Sequence, residues 1–332
     1  MRAAFGEHFD VPTGYLNTAS IGIPPARVAD AVDTAVRRWR TGLAAPPEFD
    51  EPVAAARAAW ARLVGVDTGR VAVGATVAQL VAQVVAGVPD GARVLTARTE
   101  FTSLTFPFAA RGLEVVEVEL DELVDRAPDF DLVAVSVVQS SDGRVVDLDG
   151  LRATGAKVLL DATQAVGWLP LRLDWADWVV CAGYKWLMCP RGAAWLAVHP
   201  RAVGSTRPVA ANWYAGQDRW QSIYGLPLRQ AADARAFDLS PVWFSQVAAA
   251  ESLTWLAGLD LAEVRAHCVG LADGLLARMG LAPRGSAIVS LEVPTEPLAA
   301  AGIRCSSRAG RSRLAFHLYN TAEDVEAVLG AL

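Results

Sequence analysis

Three short stretches of this chain carry side chains whose types and order suit one kind of chemistry. Asp161 ends the apolar run AKVLLD, which places a carboxylate at the carboxyl end of a buried strand; in an open parallel sheet that edge is where ligands bind. A buried anion there needs a cationic partner, because low dielectric otherwise raises its pKa and neutralises it. Position alone serves equally well for a helix cap on the turn 162–166. Lys185 follows 24 residues on, after the apolar DWVVCA and Gly183, and precedes Trp186, Leu187 and Met188. The chain holds two lysines, Lys157 and Lys185, and gives its other basic charges to arginine. An amine kept in a hydrophobic turn can shed its proton, which a guanidinium cannot; a structural lysine that snorkels to the surface is the plainer reading. Upstream, Gly74-Ala75-Thr76 follows VAVG and opens a helix. Thr76 is either an ordinary N-cap or, with the neighbouring backbone N–H groups, a cradle for phosphate at the positive helix end.

The combination says more than its parts. A phosphate cradle, a strand-end carboxylate with Gln164 three residues on, and a turn-borne lysine are the groups that a pyridoxal phosphate site requires. The amine attaches the cofactor, and the carboxylate keeps its pyridine nitrogen protonated as an electron sink.

The elements that must position these groups are legible as periodicities. Val28, Val32, Val36 and Trp39 recur at three and four residues and predict a helix over 26–40, and a second is expected over 52–64. From Val71 the pattern changes to short apolar strands alternating with helices: VAVG, ARVLT, LEVVEVE, DLVAVSVV and AKVLLD. Such runs indicate a parallel sheet covered on both faces, hence an α/β fold. Further strands are expected at 177–181 and at 193–199, the latter antiparallel after the tight Pro190-Arg191-Gly192 turn. The aperiodic stretch 205–239 reads as loops, the stretches 241–256 and 261–279 as helices, and 287–292 and 312–316 as short strands before a last helix capped by Thr321. The expected organisation is an N-terminal segment at 1–24 near the site, a large domain at 25–258 and a small α+β domain at 259–332, joined by part of that segment.

Composition narrows the function classes. At 332 residues with 53% hydrophobic and 20% charged content, the chain can bury a large core, and dominant disorder is excluded. Thirty basic against 36 acidic residues give a charge of −6 without a basic cluster, which argues against nucleic acid as a partner. No apolar run approaches the roughly 18 residues of a membrane span, and the opening residues lack a signal pattern, so a cytoplasmic protein is expected. Four scattered cysteines and four histidines form neither a disulfide framework nor a metal motif, and no metal is expected.

DATQAVGWLPL followed by DWVVCAGYKWLMCPRGAAWLAVHP resembles the signature of the class-V aminotransferase family, which includes cysteine desulfurases, kynureninases and isopenicillin N epimerase-like proteins. YLNTASIGIPP, GAT, RAFDLSP and SRLAFHLYNTAEDVEAVL resemble that family's opening, phosphate turn, dimer-crossing segment and closing strand and helix, so the likeness covers nearly the whole chain. It implies the fold type I of pyridoxal phosphate enzymes: a mainly parallel seven-stranded sheet flanked by helices, plus a small C-terminal domain. It further implies that Lys185 carries pyridoxal 5'-phosphate covalently and that Asp161 faces the ring nitrogen. Gln164 would meet the ring hydroxyl, and Ala75 with Thr76 the phosphate, with Tyr184 reaching it where many relatives carry histidine. Phe101 occupies the place of a stacking histidine; an aromatic face stacks equally well but exchanges no protons. Ser240 would contact the neighbouring subunit's cofactor in a homodimer with shared sites. Arg313 matches the arginine that grips the substrate's α-carboxylate through two parallel hydrogen bonds, with Arg308 and Arg311 ranked lower. Asn17, with the backbone around Ala19, would line the substrate entrance.

Departures from the family pattern shape the expected reaction. Desulfurases carry a persulfide-forming cysteine well upstream of the residue equivalent to Arg313, whereas Cys305 lies eight residues before it and reads as a small packing residue. Cys189 stands where glycine is usual and likewise reads as packing, and Ala182 replaces a phosphate-binding serine. β-Elimination from a cysteine-derived amino acid, a carbon–sulfur lyase reaction, is therefore expected, with transamination, epimerisation and a catalytically inactive cofactor-binding relative as alternatives. Trp213, Tyr214, Trp220 and Tyr224 serve either a pocket for a bulky side chain or a dimer interface.

Overall fold

The structure, a computed structural model, describes residues 1–332. An antiparallel hairpin of β1 (Arg2–Ala4) and β2 (Glu7–Phe9) opens the chain and lies outside the sequence expectations. Helices α1 (Ala26–Arg40) and α2 (Asp50–Val64) follow. Next come β3 (Val71–Gly74), α3 (Val77–Val85), β4 (Arg93–Ala97), α4 (Thr102–Ala110), β5 (Glu114–Val118), the single-turn α5 (Leu123–Arg126) and β6 (Leu132–Ser136). The short α6 (Leu148–Ala153), which the sequence reading does not anticipate, leads into β7 (Val158–Asp161), β8 (Trp178–Ala182) and β9 (Ala194–Val198).

These seven strands form one sheet in the order β3-β9-β8-β7-β6-β4-β5. Only β9 runs against the rest, pairing antiparallel with both β3 and β8, as the tight turn before it predicts. Every residue of β3, β6, β7, β8 and β9 is buried, which is why these strands read as unbroken apolar runs. Their side chains alternate between two cores. Val133, Val135, Val158, Leu160 and Val179 pack on the α2 side with Trp60 and Leu63, whereas Leu132, Ala134, Leu159 and Val180 pack with Leu80, Val84 and Leu104 of α3 and α4. Period-two alternation at full burial fixes the register of the sheet, since a slip of one residue exchanges the two faces.

The chain then crosses 205–239 mostly as loops and short helical turns before α7 (Trp243–Leu256) and α8 (Leu261–Arg278). The last elements are β10 (Ile288–Leu291), α9 (Thr295–Ala300), β11 (Ser306–Arg308), β12 (Arg311–Ala315) and α10 (Ala322–Ala331), the strands forming a three-stranded antiparallel sheet in the order β10-β12-β11. Thr321 is the N-cap of α10, where the Asp324 carboxylate accepts its N–H at 2.9 Å. The opening segment joins this small sheet through bridges from Tyr15 to Arg304 and from Asn17 to Ala315. One face of the small sheet packs on Leu275, Leu276 and Leu298, while Ile288 and Ala315 on the other belong to the main core. The hairpin β11–β12 is thereby seated on the carboxyl edge of the large sheet.

Candidate active site

Five parallel strands send their carboxyl ends to one edge, and each delivers part of a single cavity. β3 ends at Gly74 and leads to Ala75 and Thr76; β4 leads through a loop to Phe101; β6 ends at Ser136; β7 ends at Asp161; β8 ends at Ala182, ahead of Tyr184 and Lys185. Ala75, Thr76, Phe101, Asp161, Gln164, Tyr184 and Lys185, seven of the ten expected site residues, line this cavity.

Lys185 is 5% exposed and Asp161 4%. Burial pushes the Lys185 amine down to about 8, with Asp161 opposing the shift and Arg313 and Arg308 adding to it. Burial likewise pushes the Asp161 carboxyl up to about 6, against the hydrogen bonds it accepts from Thr163, the backbone N–H among them at 2.9 Å. Asp161 thus closes a tight turn and also faces the cavity, so the two readings of its position are compatible. Thr76 is similar. Its hydroxyl caps α3 by accepting the Gln79 N–H at 3.3 Å while the residue lines the cavity beside the first-turn N–H groups. Phe101 is 40% exposed rather than a core residue, and the Lys185 Nζ lies 5.1 Å from its ring centroid. Tyr184 offers a second ring 5.7 Å from Nζ, with the Arg191 guanidinium 5.4 Å from the same ring.

Gly22 explains how the lysine turn is held. Its N–H donates to the Tyr184 carbonyl at 3.0 Å, and a Cβ added there would lie 1.9 Å from the Lys185 carbonyl oxygen. The opening segment therefore clamps the turn through a contact that only glycine permits.

Gln164 is engaged on every side. Its carbonyl accepts the Trp186 indole N–H at 2.7 Å, and its amide donates to the Ala19 carbonyl at 3.0 Å and to the Ser140 hydroxyl at 3.1 Å. Arg313 is 1% exposed and has no carboxylate partner, which excludes a surface ion pair. Its donors reach only neutral oxygens: the Ser306 hydroxyl at 3.1 Å, the Ser140 carbonyl at 2.5 Å and hydroxyl at 3.1 Å, and the Ser20 hydroxyl at 2.8 Å. Burial and the nearby Arg308 lower its pKa to about 10. Such a guanidinium is a cation awaiting an anion.

Arg313 is not among the lining residues and touches them through Ser140, and two further expected residues also sit elsewhere. Ser240 is exposed and does not line its own chain's cavity. Two residues earlier an ion pair holds the segment against β3: Arg57, buried in α2, donates to both Asp238 oxygens at 3.0 and 2.7 Å, and Asp238 accepts the Val73 N–H at 2.8 Å. Asn17 is outside the cavity lining, with its side-chain oxygen buried and unpartnered, and Ser20 is the residue of that segment that touches Arg313.

Two further expectations are narrowed. Trp213, Tyr214 and Trp220 gather around Asp50 and Arg219, and Tyr224 is 87% exposed, so none of the four lines the cavity and the pocket reading of this cluster is set aside. Cys305 is half-buried rather than fully packed, whereas Cys189 is buried against the Leu187 carbonyl, and burial pushes its thiol up.

Sequence reasoning missed Glu100, Ser136, Ser140, Thr163 and Arg191. Glu100 is buried and accepts from the Phe101 N–H, the Ser136 N–H and hydroxyl, and the Gln139 amide at 2.6–3.1 Å, tying the Phe101 loop to the end of β6. A buried carboxylate directly before the stacking candidate was the available signal.

The residues present suit a pyridoxal phosphate. The cavity holds an amine of depressed pKa, a buried carboxylate, an aromatic face, and at one end a helix N-terminus with an arginine for a phosphate.

Comparisons agree. The family model for aminotransferase class-V matches residues 47–292. An uncharacterised aminotransferase of Bacillus subtilis is 24% identical, over 95% of this chain and 93% of its own length. A kynureninase of Xanthomonas oryzae is 26% identical over 89% of this chain and 78% of its own. Among solved structures, the cystine C–S lyase C-DES, in complex with its product cysteine persulfide, superposes with a TM-score of 0.84 at 20% identity, covering 96% of this chain and 97% of its own, a likeness of fold.

Proposed function

This chain belongs to the class-V aminotransferase family and is a pyridoxal phosphate-dependent enzyme, and from that premise we propose that it is a carbon–sulfur lyase releasing sulfur from a cysteine-derived amino acid. The observation that carries the reading is that Lys185 is the only proton-exchanging amine in a cavity whose lining includes no cysteine. With no cysteine in this lining to take up sulfur, the reading is that the sulfur leaves as a free product.

When bound, the cofactor supplies an electron sink for the charge left on the substrate's α-carbon. Asp161 would hold its ring nitrogen, Phe101 one ring face, Gln164 the ring hydroxyl after releasing Ser140, and Ala75, Thr76 and Tyr184 the phosphate, joined by Arg191. Lys185 would carry it covalently. Arg313 grips the substrate's α-carboxylate through its fork, trading the neutral serine oxygens for an anion. Lys185 would take the α-proton as the general base, its amine held down to about 8 by burial in the cofactor-free chain. Phe101 cannot compete for that proton, so its path runs through the lysine. The bond from the β-carbon to sulfur then breaks with its electron pair on sulfur, and hydrolysis yields pyruvate and ammonia.

The same reading makes the active unit a cytoplasmic homodimer, in which the exposed Ser240 serves the cofactor of a second copy. Trp39 of α1, 64% exposed and 5.8 Å from the Phe244 ring, offers an aromatic face for such an association. No helix is long and apolar enough to cross a membrane.

Two measurements test the proposal. The purified protein should show a visible absorbance band, and borohydride should fix the cofactor to the wild-type chain but not to Lys185→Ala. Given a cysteine S-conjugate, it should release pyruvate and ammonia without any added keto acid; product that forms only when a keto acid is supplied rejects elimination in favour of transamination.

A further inference from the structure

Charge around the cavity finds a counterpart for every group but one. Under the reading above, which this inference extends, Asp161 answers the ring nitrogen, Arg191 and the α3 N-terminus answer a phosphate, and Arg313 answers the α-carboxylate. Glu100 is satisfied by neutral donors. Arg308 remains. Its only side-chain hydrogen bond is to the adjacent Ser307 carbonyl, 2.6 Å away, and no carboxylate lies within ion-pair distance.

The register of the hairpin says where Arg308 stands. Ser306 is directly opposite Arg313, and Arg308 directly opposite Arg311. Residues two apart on a strand share a face, so Arg308 lies on the face where Ser306 meets Arg313, about 7 Å further along the strand. Its cross-strand neighbour Arg311 is neutralised by Glu292. Arg308 is exposed and outside the lining of the cavity, so it can meet only the far end of a bound substrate. Arg308 lies close enough to both Arg313 and Lys185 for its charge to lower their pKa values.

We propose that Arg308 binds an anionic group at the end of the substrate's side chain, so that the amino acids accepted here are acidic ones, carrying a carboxylate or sulfonate about 7 Å beyond the α-carboxylate. An exposed guanidinium grips such a group by charge-assisted hydrogen bonds and rejects a neutral isostere that leaves it unpaired.

S-Carboxymethyl-L-cysteine and S-carbamoylmethyl-L-cysteine differ only in that charge. Their affinities for the holoenzyme are read from the initial amplitude of the change in cofactor absorbance on rapid mixing, which reports binding whether or not turnover follows. The wild-type protein should bind the acid about tenfold more tightly; Arg308→Gln should bring the two within about twofold with the amide's affinity unchanged, and Arg311→Gln should keep the preference. Equal affinities in the wild type, or a preference that survives Arg308→Gln, overturn the proposal. Selective binding of the acid without pyruvate release would reject the lyase reading while supporting the role of Arg308.

Discussion

Replacing Gly22 with alanine puts a methyl group where the Lys185 carbonyl oxygen already is. The new Cβ would lie 1.9 Å from that oxygen and 3.0 Å from both the carbonyl carbon and the Met188 side chain. An ordinary contact begins near 3.4 Å, so the lysine turn and the opening segment must separate by about 1.5 Å. Neither side can yield freely: the turn is locked by the bond from the Met188 N–H to the Lys185 carbonyl, and the segment by the Ser20 contact with Arg313. Overpacking of this kind costs about 1–3 kcal/mol of stability. The functional loss should be larger, since displacing a reacting group by about 1 Å costs on the order of a hundredfold in rate. Urea unfolding and kcat/KM of the holoenzyme measure the two effects. Gly274→Ala is the control: it lies exposed in α8 with no atom near its added Cβ, and should stabilise the helix by about 0.5–1 kcal/mol. If Gly22→Ala unfolds within about 0.5 kcal/mol of wild type and keeps its kcat/KM, the segment does not clamp the turn and the account of how Lys185 is positioned fails.

In the cofactor-free protein, the Lys185 amine titrates near 8 when folded against 10.5 when free. The unfolded chain binds the extra proton between those values, so stability should rise with pH through that window, and Lys185→Met should stabilise the protein at pH 7 by up to about 3 kcal/mol, a gain that fades from pH 8 to 10.5; a pH-independent gain in denaturation curves would refute the cause. Arg57→Ala should destabilise by about 3–5 kcal/mol because it leaves Asp238 buried without its partner, and Arg57→Met with Asp238→Leu should recover most of that; equal losses in the single and double variants by urea unfolding would show that the ion pair is not what holds the segment.

Much of this protein is legible along the chain because its causes are local. Full burial on both faces makes β6, β7 and β8 continuous apolar runs, and the amphipathic spacing of α1 predicts its bounds of Ala26–Arg40 as found. The order of the candidate site residues follows for the same reason: a parallel sheet brings its strand ends to one edge, so Asp161 at the end of a strand meets Thr76 and Lys185 just beyond theirs. Elements with weak local signatures escaped. The hairpin β1–β2 has three residues per strand, and β11 is too short and polar to show alternation.

What only the tertiary structure decided is how those groups are held and charged. Arg313 finds Ser20 across 293 residues and Ser140 across 173, and Gln164 finds Ala19 across 145. None of these pairings leaves a period or motif in the sequence, because hydroxyls and carbonyls are common and their meeting depends on the seating of the small sheet. The depressed pKa of Lys185 also belongs to the fold, since a lysine between tyrosine and tryptophan titrates normally until the strands around it exclude water. Residue types set what chemistry is possible here; burial and long-range contact set which of those groups are charged, which are free, and which face the cavity.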